Sequence, residues 1–396
     1  MSKYPTDWLS KPLGKVYPKI VVGYVGNVND HYCRAEEGVP FYRTLNIRDG
    51  YFRHSEHLYV THEFNEKNKK SQITNNDILI ARVGANLGMV CKANGISGLA
   101  NMANAIIIKT NDVNSADADF YTSFLLSPMG KNQIYSGAAG GAQGVFNTKL
   151  TQEIIVPVPP LPEQRKIAKI LSTWDKAITT TERLIASSQQ QKKALMQQLL
   201  TGKKRLLNPE TGMVFEGDWT KHALKNVVSI TYGKSPKEIF DNNGQFDVIG
   251  TGGVTGRTNQ TLCSDTSVVI GRKGTIDKPQ LVTSPFWAID TTFYCLPINN
   301  TIKIEWFYYL TTTLNLRAYN EASGVPSLSR ETLYSIRVVV PSLKEQQKIA
   351  SVLTAADKEI ELLQAKLAHL KEEKKALMQQ LLTGKRRVKV DTTEAA

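Results

Sequence analysis

Cysteine is scarce in this chain. Its four cysteines (Cys33, Cys91, Cys263, Cys295) are widely spaced, with no C-x-x-C pair. That spacing supports neither a disulfide framework nor a zinc ribbon, and His31 two residues before Cys33 is too small a ligand set. Buried thiols in a reducing compartment are the expectation. No apolar run approaches the length of a membrane span, and the opening MSKYPTDW carries no apolar signal segment, so the chain is expected to be cytoplasmic. Catalytic motifs are missing as well. There is no G-x-G-x-x-G, no G-x-x-x-x-G-K-[ST], no HExxH and no G-x-S-x-G. No Asn/Asp-Pro-Pro-aromatic run exists to hold a flipped base, so the chain is not expected to transfer methyl groups itself. Dinucleotide, nucleotide, metal-hydrolase and serine-hydrolase chemistry all lose their support, and no metal site is expected.

Charge is present but not concentrated. The net charge is +13 over 396 residues. It divides into about +3 over residues 1–155, +4 over 156–218, +3 over 219–340 and +3 over the remainder. A polyanionic partner is favoured, and its footprint would have to be assembled from both halves of the chain.

The organising feature is a stretch that occurs twice. Residues Glu163–Gly202 and Glu345–Gly384 align without a gap at an offset of 182 and match at 21 of 40 positions. The run KKALMQQLLTG is identical in both copies (Lys192–Gly202, Lys374–Gly384). An internal repeat of this kind sets the architecture. Apolar residues recur at steps of three and four: Leu171, Trp174, Ile178, Ile185, Leu195 and Leu199 in the first copy. In the second they are Leu353, Ile360, Leu363, Leu367, Leu370, Leu377 and Leu381. Such a heptad seam asks for another helix, and the natural partner is the other copy. About 38 residues at 1.5 Å each make a rod of roughly 57 Å. Each helix follows a proline-bearing segment and closes at a glycine, Gly202 or Gly384. Lys192 and Lys374 interrupt the seam and read as devices that set its register or reach solvent.

The segments between the helices are related more faintly. Trp8, Leu13 and Val16 correspond to Trp219, Leu224 and Val227 at an offset of 211, and DILIARVG (Asp77–Gly84) corresponds to SVVIGRKG (Ser267–Gly274). Both regions are strand-rich, with Gly, Asn and Asp marking turns. One helix is expected in each, at Ala118–Leu126 and Ile304–Leu314. Trp8–Glu163 is 29 residues longer than Trp219–Glu345. Six segments follow: a first domain at 1–155, a long helix at 156–202 and a linker at 203–218. A second domain at 219–340 and a second long helix at 341–384 come next, then a basic-then-acidic tail at 385–396.

This order of region, helix, region, helix resembles the specificity subunit of type I restriction–modification systems. The P-x-L-x-EQ-x-KIA openings (Pro159–Ala168, Pro341–Ala350) and the ALMQQLLTGK(K/R)R closings carry the resemblance, which covers essentially the whole chain. It implies an α+β fold: two similar mixed α/β target recognition domains joined by two long antiparallel coiled-coil helices with pseudo-twofold symmetry. Each domain would read one half of a split DNA site. The helix pair would act as spacer and dock two methyltransferase (modification) subunits, with restriction/translocase subunits in the full complex. The subunit would be non-catalytic and bind no cofactor of its own. S-adenosylmethionine, ATP and Mg are expected on its partners. The rival reading is a coiled-coil adaptor that binds protein partners without reading DNA.

DNA-binding candidates are loop residues of the types that contact phosphates and base edges. In the first region they are Arg43, Lys69, Lys70, Arg82, Asn86, Gln143, Asn147 and Lys149. In the second they are Lys234, Arg257, Arg272, Lys273, Ser329 and Arg330. Arg82 and Arg272 are shared by domains that should read different bases, so they read as phosphate-contacting or structural residues. The glycine-rich GTGGVTG (Gly250–Gly256) reads as a turn-rich loop.

Overall fold

A computed structural model describes residues 4–111, 113–139 and 145–390. The chain divides into two compact units, one of residues 1–180 with 367–396 and one of residues 181–366. Each unit thus holds one inter-helix region, the beginning of the long helix that follows it and the end of the other long helix. The helices span Leu161–Leu199 and Leu343–Leu381, 39 residues each. Among the described residues no helix is long and apolar enough to cross a membrane.

In the first unit an antiparallel pair, Leu9–Pro12 with Ile155–Val158, joins the domain's entrance to its exit. Behind it lies a four-stranded antiparallel sheet in the order Ile20–Val22, Ala105–Ile108, Ile78–Ala81, Val90–Lys92. A smaller sheet pairs Gly38–Tyr42 antiparallel with Leu58–Thr61 and parallel with Asn101–Met102. The second unit repeats this plan. Thr220–Ala223 pairs with Arg337–Val340, and the four-stranded order is Val228–Tyr232, Thr292–Pro297, Ser267–Gly271, Gln280–Val282. Phe246–Gly250 pairs antiparallel with Gly253–Thr258 and parallel with Phe286–Ala288. The interior strands Ile78–Ala81 and Ser267–Gly271 are buried along their whole length, as continuous apolar runs covered on both faces must be.

The expected domain helices form at Ala118–Leu126 and Ile304–Thr313. Their rings go to the core: Phe120, Tyr121, Trp306 and Phe307 are fully buried. The first region's extra length includes a hairpin, Ile47–Arg48 with Tyr51–Phe52, and a helix at Pro128–Ala139. That helix has Pro128 at its first position, where a missing N–H costs nothing. GTGGVTG proves to be mostly strand: Gly250 and Gly253 face each other across a tight hairpin.

The two long helices pack antiparallel inside each unit. In the first unit Ile167, Ala168 and Leu171 share a core with Met378, Leu381 and Leu382. In the second unit Leu199 and Leu200 share one with Ile349, Ala350 and Leu353. Of the seam residues, Leu171, Leu199, Leu353, Ile360 and Leu381 are buried. Trp174, Ile178, Ile185, Leu195, Leu363, Leu367, Leu370 and Leu377 are half-buried. Lys192 is ion-paired with Asp357, and Lys374 with Asp175 at 2.5 Å, so both lysines set register. Each helix ends the same way. Gly202 and Gly384 sit at φ +70 and +69, and the amides of Lys204 and Arg386 turn back to the carbonyls of Gln198 and Gln380.

The EQ dipeptide at each helix start ties the helix to its domain. Gln164 accepts from the Asp117 amide at 2.9 Å and donates to the Pro159 carbonyl at 2.8 Å. Gln346 accepts from the Lys303 amide at 2.8 Å and donates to the carbonyls of Thr301 and Pro341, each at 2.9 Å. Asp117 and Lys303 are the N-caps of the two domain helices, so each glutamine closes the end of a neighbouring helix.

Candidate nucleic-acid interface

In each domain the interior strand ends in arginine, one residue and a glycine. Gly84 and Gly274 lie at φ +74 and +91, a left-handed conformation that a β-carbon would strain. The turn leaves Arg82 and Arg272 just past the strand's end, both half-buried. The carbonyl of Arg82 accepts from the Phe146 amide at 3.0 Å, and that of Arg272 from the Leu328 amide at 2.9 Å. Phe146 and Leu328 directly precede the N-caps of two short helices, Thr148–Glu153 and Arg330–Ser335. The same three-part corner therefore exists in both domains: arginine, positive-φ glycine and helix N-cap.

The corner is most developed in the second domain. The Arg272 guanidinium lies 5.2 Å from the Tyr232 ring and Arg330 lies 5.1 Å from it, so one ring serves two cations. Arg330 also reaches the Tyr334 ring at 6.0 Å and is loosely ion-paired with the exposed Glu331 at 3.5 Å. Tyr232 is 37% exposed. Lys273 and Lys234 are exposed nearby in sequence, and the Lys234 backbone is fixed by bonds to Ala288 and Trp287. Ser329 is committed elsewhere. Its hydroxyl caps the helix by accepting from the Thr332 amide at 3.1 Å and donates to Glu321 at 2.9 Å. Hydrogen bonds from Thr332 and then Ser329 hold the Glu321 carboxyl below the usual carboxylate range. A carboxylate there makes Ser329 a poor place for a phosphate. Arg257 is also occupied: it donates to the carbonyls of Gly244 and Gln245 at 2.7 and 2.8 Å and pairs with Asp247 at 3.1 Å.

In the first domain Arg82 donates to the Phe146 carbonyl at 3.4 Å. Asn147 caps its helix, accepting from the Leu150 amide at 3.0 Å, and Lys149 is exposed one turn on. Asn86 bridges two segments, accepting from Arg48 Nη1 at 2.9 Å and donating to the Thr44 carbonyl at 3.2 Å. Arg43 donates to the Glu56 carbonyl at 3.3 Å, with its Nε buried and unpartnered. Lys69 and Lys70 stand apart from this group. Lys70 is exposed and lines a cavity with Lys19, Asp77 and Lys109, while Lys69 pairs with Glu66 at 3.1 Å. Asp77 directly precedes and Arg82 directly follows the strand Ile78–Ala81, which separates the two clusters by roughly 16 Å at 3.3 Å per residue. Gln143 lies outside the described residues.

Sequence reasoning missed Tyr232, Arg48 and Lys131. Lys131 donates to the Gly88 carbonyl at 2.6 Å and pairs with Asp49 at 2.5 Å, closing the loop beside Asn86. The available signal for Tyr232 was its place directly before Gly233-Lys234, an exposed aromatic at a strand end. Among the described residues no group of three or more His, Cys, Asp or Glu could hold a metal ion.

Comparison with known proteins agrees with this plan. The family described as type I restriction modification DNA specificity domain matches twice, over residues 25–187 and 216–372. The chain is 27% identical over 382 residues to the type I restriction enzyme MjaVIII specificity subunit of Methanocaldococcus jannaschii, covering 88% of this chain and 86% of that one. Its fold resembles the S subunit of a type I restriction-modification system from M. genitalium (TM-score 0.64, 17% identity, 96% of this chain and 98% of that one). It also resembles the HsdS subunit of Thermoanaerobacter tengcongensis (TM-score 0.52, 16% identity, 97% and 98%). With two matched domains, a repeated topology and a repeated helix, the chain belongs to the type I restriction-modification specificity subunits.

Proposed function

We propose that this subunit reads a split DNA target, one half through each domain, and docks modification subunits through its helix pair. The observation that carries the reading is the duplicated arginine corner. Two domains of one topology present a cation at the same strand end, beside loops that differ between them. Shared arginines suit a shared feature, the phosphate backbone, and divergent loops suit divergent bases. In the second domain the Arg272–Tyr232–Arg330 cluster supplies two cations to that backbone. The cysteine, histidine and carboxylate chemistry of catalysis has no part in this reading. S-adenosylmethionine, with ATP and Mg, belongs to the partner subunits, and restriction subunits complete the assembly.

The test is single-molecule sequencing of methylated bases in a host that carries the subunit with its modification partner. A split motif is expected. Exchange of Trp219–Val340 for the equivalent region of a relative should change one half of that motif and leave the other untouched. Duplex binding that weakens steeply with salt should accompany it. An adaptor that only joins proteins would show neither the motif nor the salt dependence.

A further inference from the structure

In each unit one buried carboxylate joins three segments that lie far apart in the chain. Glu163, 3% exposed, stands in the first turn of the first long helix. It accepts from Trp8 Nε1 at 3.1 Å and from Arg387 at 2.7 and 2.8 Å. The Arg387 guanidinium lies 5.6 Å from the Trp8 ring and also donates to Asp7 at 2.9 Å. In the second unit Glu345, 1% exposed, accepts from Trp219 Nε1 at 3.1 Å and from Arg205 at 2.6 and 2.7 Å. Arg205 lies 5.8 Å from the Trp219 ring and donates to the Gly217 carbonyl at 3.1 Å. The glutamates and the arginines both obey the 182-residue offset, and the tryptophans the 211-residue offset.

Each member has a definite place. The tryptophan leads the entrance strand of the domain, and that strand pairs with the exit strand. The glutamate roots the domain's own helix, next to the glutamine that caps the domain helix. The arginine comes from the chain just beyond the other long helix. A forked arginine on an ionised carboxylate is directional and charge-assisted, and removing the arginine leaves a buried glutamate without its cation. Trp8 lies in the same apolar core as the helix contacts of its unit and Trp219 packs against the equivalent core, so a substitution at the arginine removes the fork while leaving the apolar contacts in place.

We infer that Glu163–Arg387–Trp8 and Glu345–Arg205–Trp219 are positioning clamps for DNA reading, one for each half of the target. Arg387 governs the half read by the first domain and Arg205 the half read by the second, although neither arginine touches a base. This rests on the split-site reading above. Base discrimination needs side chains held to within about half an ångström, and a domain released at its root no longer meets that tolerance.

The experiment uses the full chain with its modification subunit, and duplexes mismatched at one position in either half of the mapped motif. In the parent, one mismatch should reduce methylation roughly five- to hundred-fold in either half. In Arg387→Gln the penalty for first-domain mismatches should fall below about threefold while the second-domain penalty is kept, and Arg205→Gln should do the reverse. Arg387→Lys keeps the charge but loses the fork, so it should restore discrimination only in part. A merely structural arginine would lower yield and methylation of all sites alike. Should Arg387→Gln not fold, Trp8→Phe and Trp219→Phe each remove the indole hydrogen bond together with part of the packed ring, and the same half-selective loss should appear, smaller. Penalties that fall together in both halves, or that do not fall in any variant, overturn the clamps. A parent without half-site discrimination overturns the split-site reading itself.

Discussion

Lys374 Nζ lies 2.5 Å from Asp175 Oδ1, a contact made across 199 residues of chain. Its counterpart under the 182-residue offset is Lys192 on Asp357. A lysine on an apolar seam is costly unless paired, and here each lysine of the repeated KKALMQQLLTG meets the aspartate of the repeated helix start. A slip of one turn would break the pair, so the charge specifies register where leucines alone would tolerate several.

The two pairs should differ in weight. Asp175 is 56% exposed on its side chain, so Asp175→Ala should cost no more than about 1 kcal/mol. Asp357 is 31% exposed and also accepts from Tyr309 Oη at 2.7 Å. Burial, with the Asp357 contact adding to it, raises the Tyr309 phenol above its usual range and keeps it a donor. Asp357→Ala leaves Lys192 without its anion and Tyr309 with only Thr354, at 3.2 Å, and should cost roughly 2–3 kcal/mol. Urea unfolding of the two variants checks the order, and equal losses would refute it.

A buried seam leucine and an exposed leucine off the seam should differ sharply in weight. Leu353 is fully buried, so Leu353→Ala should lose roughly 2–5 kcal/mol. Leu362 is 72% exposed, and Leu362→Ala should stay within about 0.5 kcal/mol. Thermal melts of the two proteins decide this.

At the arginine corners, glycine is required for its backbone and not for space. Nothing lies within 4 Å of a β-carbon built on Gly84, and only Thr251 Oγ1, at 3.8 Å, near one on Gly274. Gly84→Ala and Gly274→Ala should each cost about 1–2 kcal/mol from the left-handed conformation alone. Each should also weaken duplex binding by turning its arginine. Unchanged stability would show that the corner relaxes freely.

Salt dependence separates phosphate contacts from caps. Arg272→Ala and Arg330→Ala should each lower the slope of log affinity against log salt by roughly 0.9 per lost contact. Ser329→Ala should leave the slope alone and cost roughly 0.5–2 kcal/mol of stability, because its hydroxyl caps a helix. Fluorescence anisotropy across a salt series, alongside melting curves, distinguishes the two.

Thiol reactivity should single out Cys33. It is the one cysteine of the four that is not buried. Burial raises all four thiols, Cys91 to about 12, with Glu37 adding to the rise at Cys33, so accessibility decides which one reacts. Ellman titration of the folded protein should show one reacting group, and denaturation should release the other three.

The repeat determined much of this protein by itself. A gapless offset of 182 residues specified two equal helices, their amphipathic faces and their mutual partnership, because helical periodicity is local and a seam has only one complementary partner in the chain. The interior strands were legible for the same reason, as apolar runs with a glycine behind them. Tertiary structure decided what the charged and polar members of the motifs are for. Glutamate and arginine in the opening and closing motifs look like ordinary solvated charges until the fold brings Arg387 onto Glu163 and Arg205 onto Glu345. Asn147 and Ser329 look like readers of bases until each is seen capping a short helix. Tyr232 acquires its two arginines from strands and loops 40 and 98 residues away, at Arg272 and Arg330. Such groupings depend on which loops a sheet's topology gathers at one edge, and no local pattern of residues encodes that.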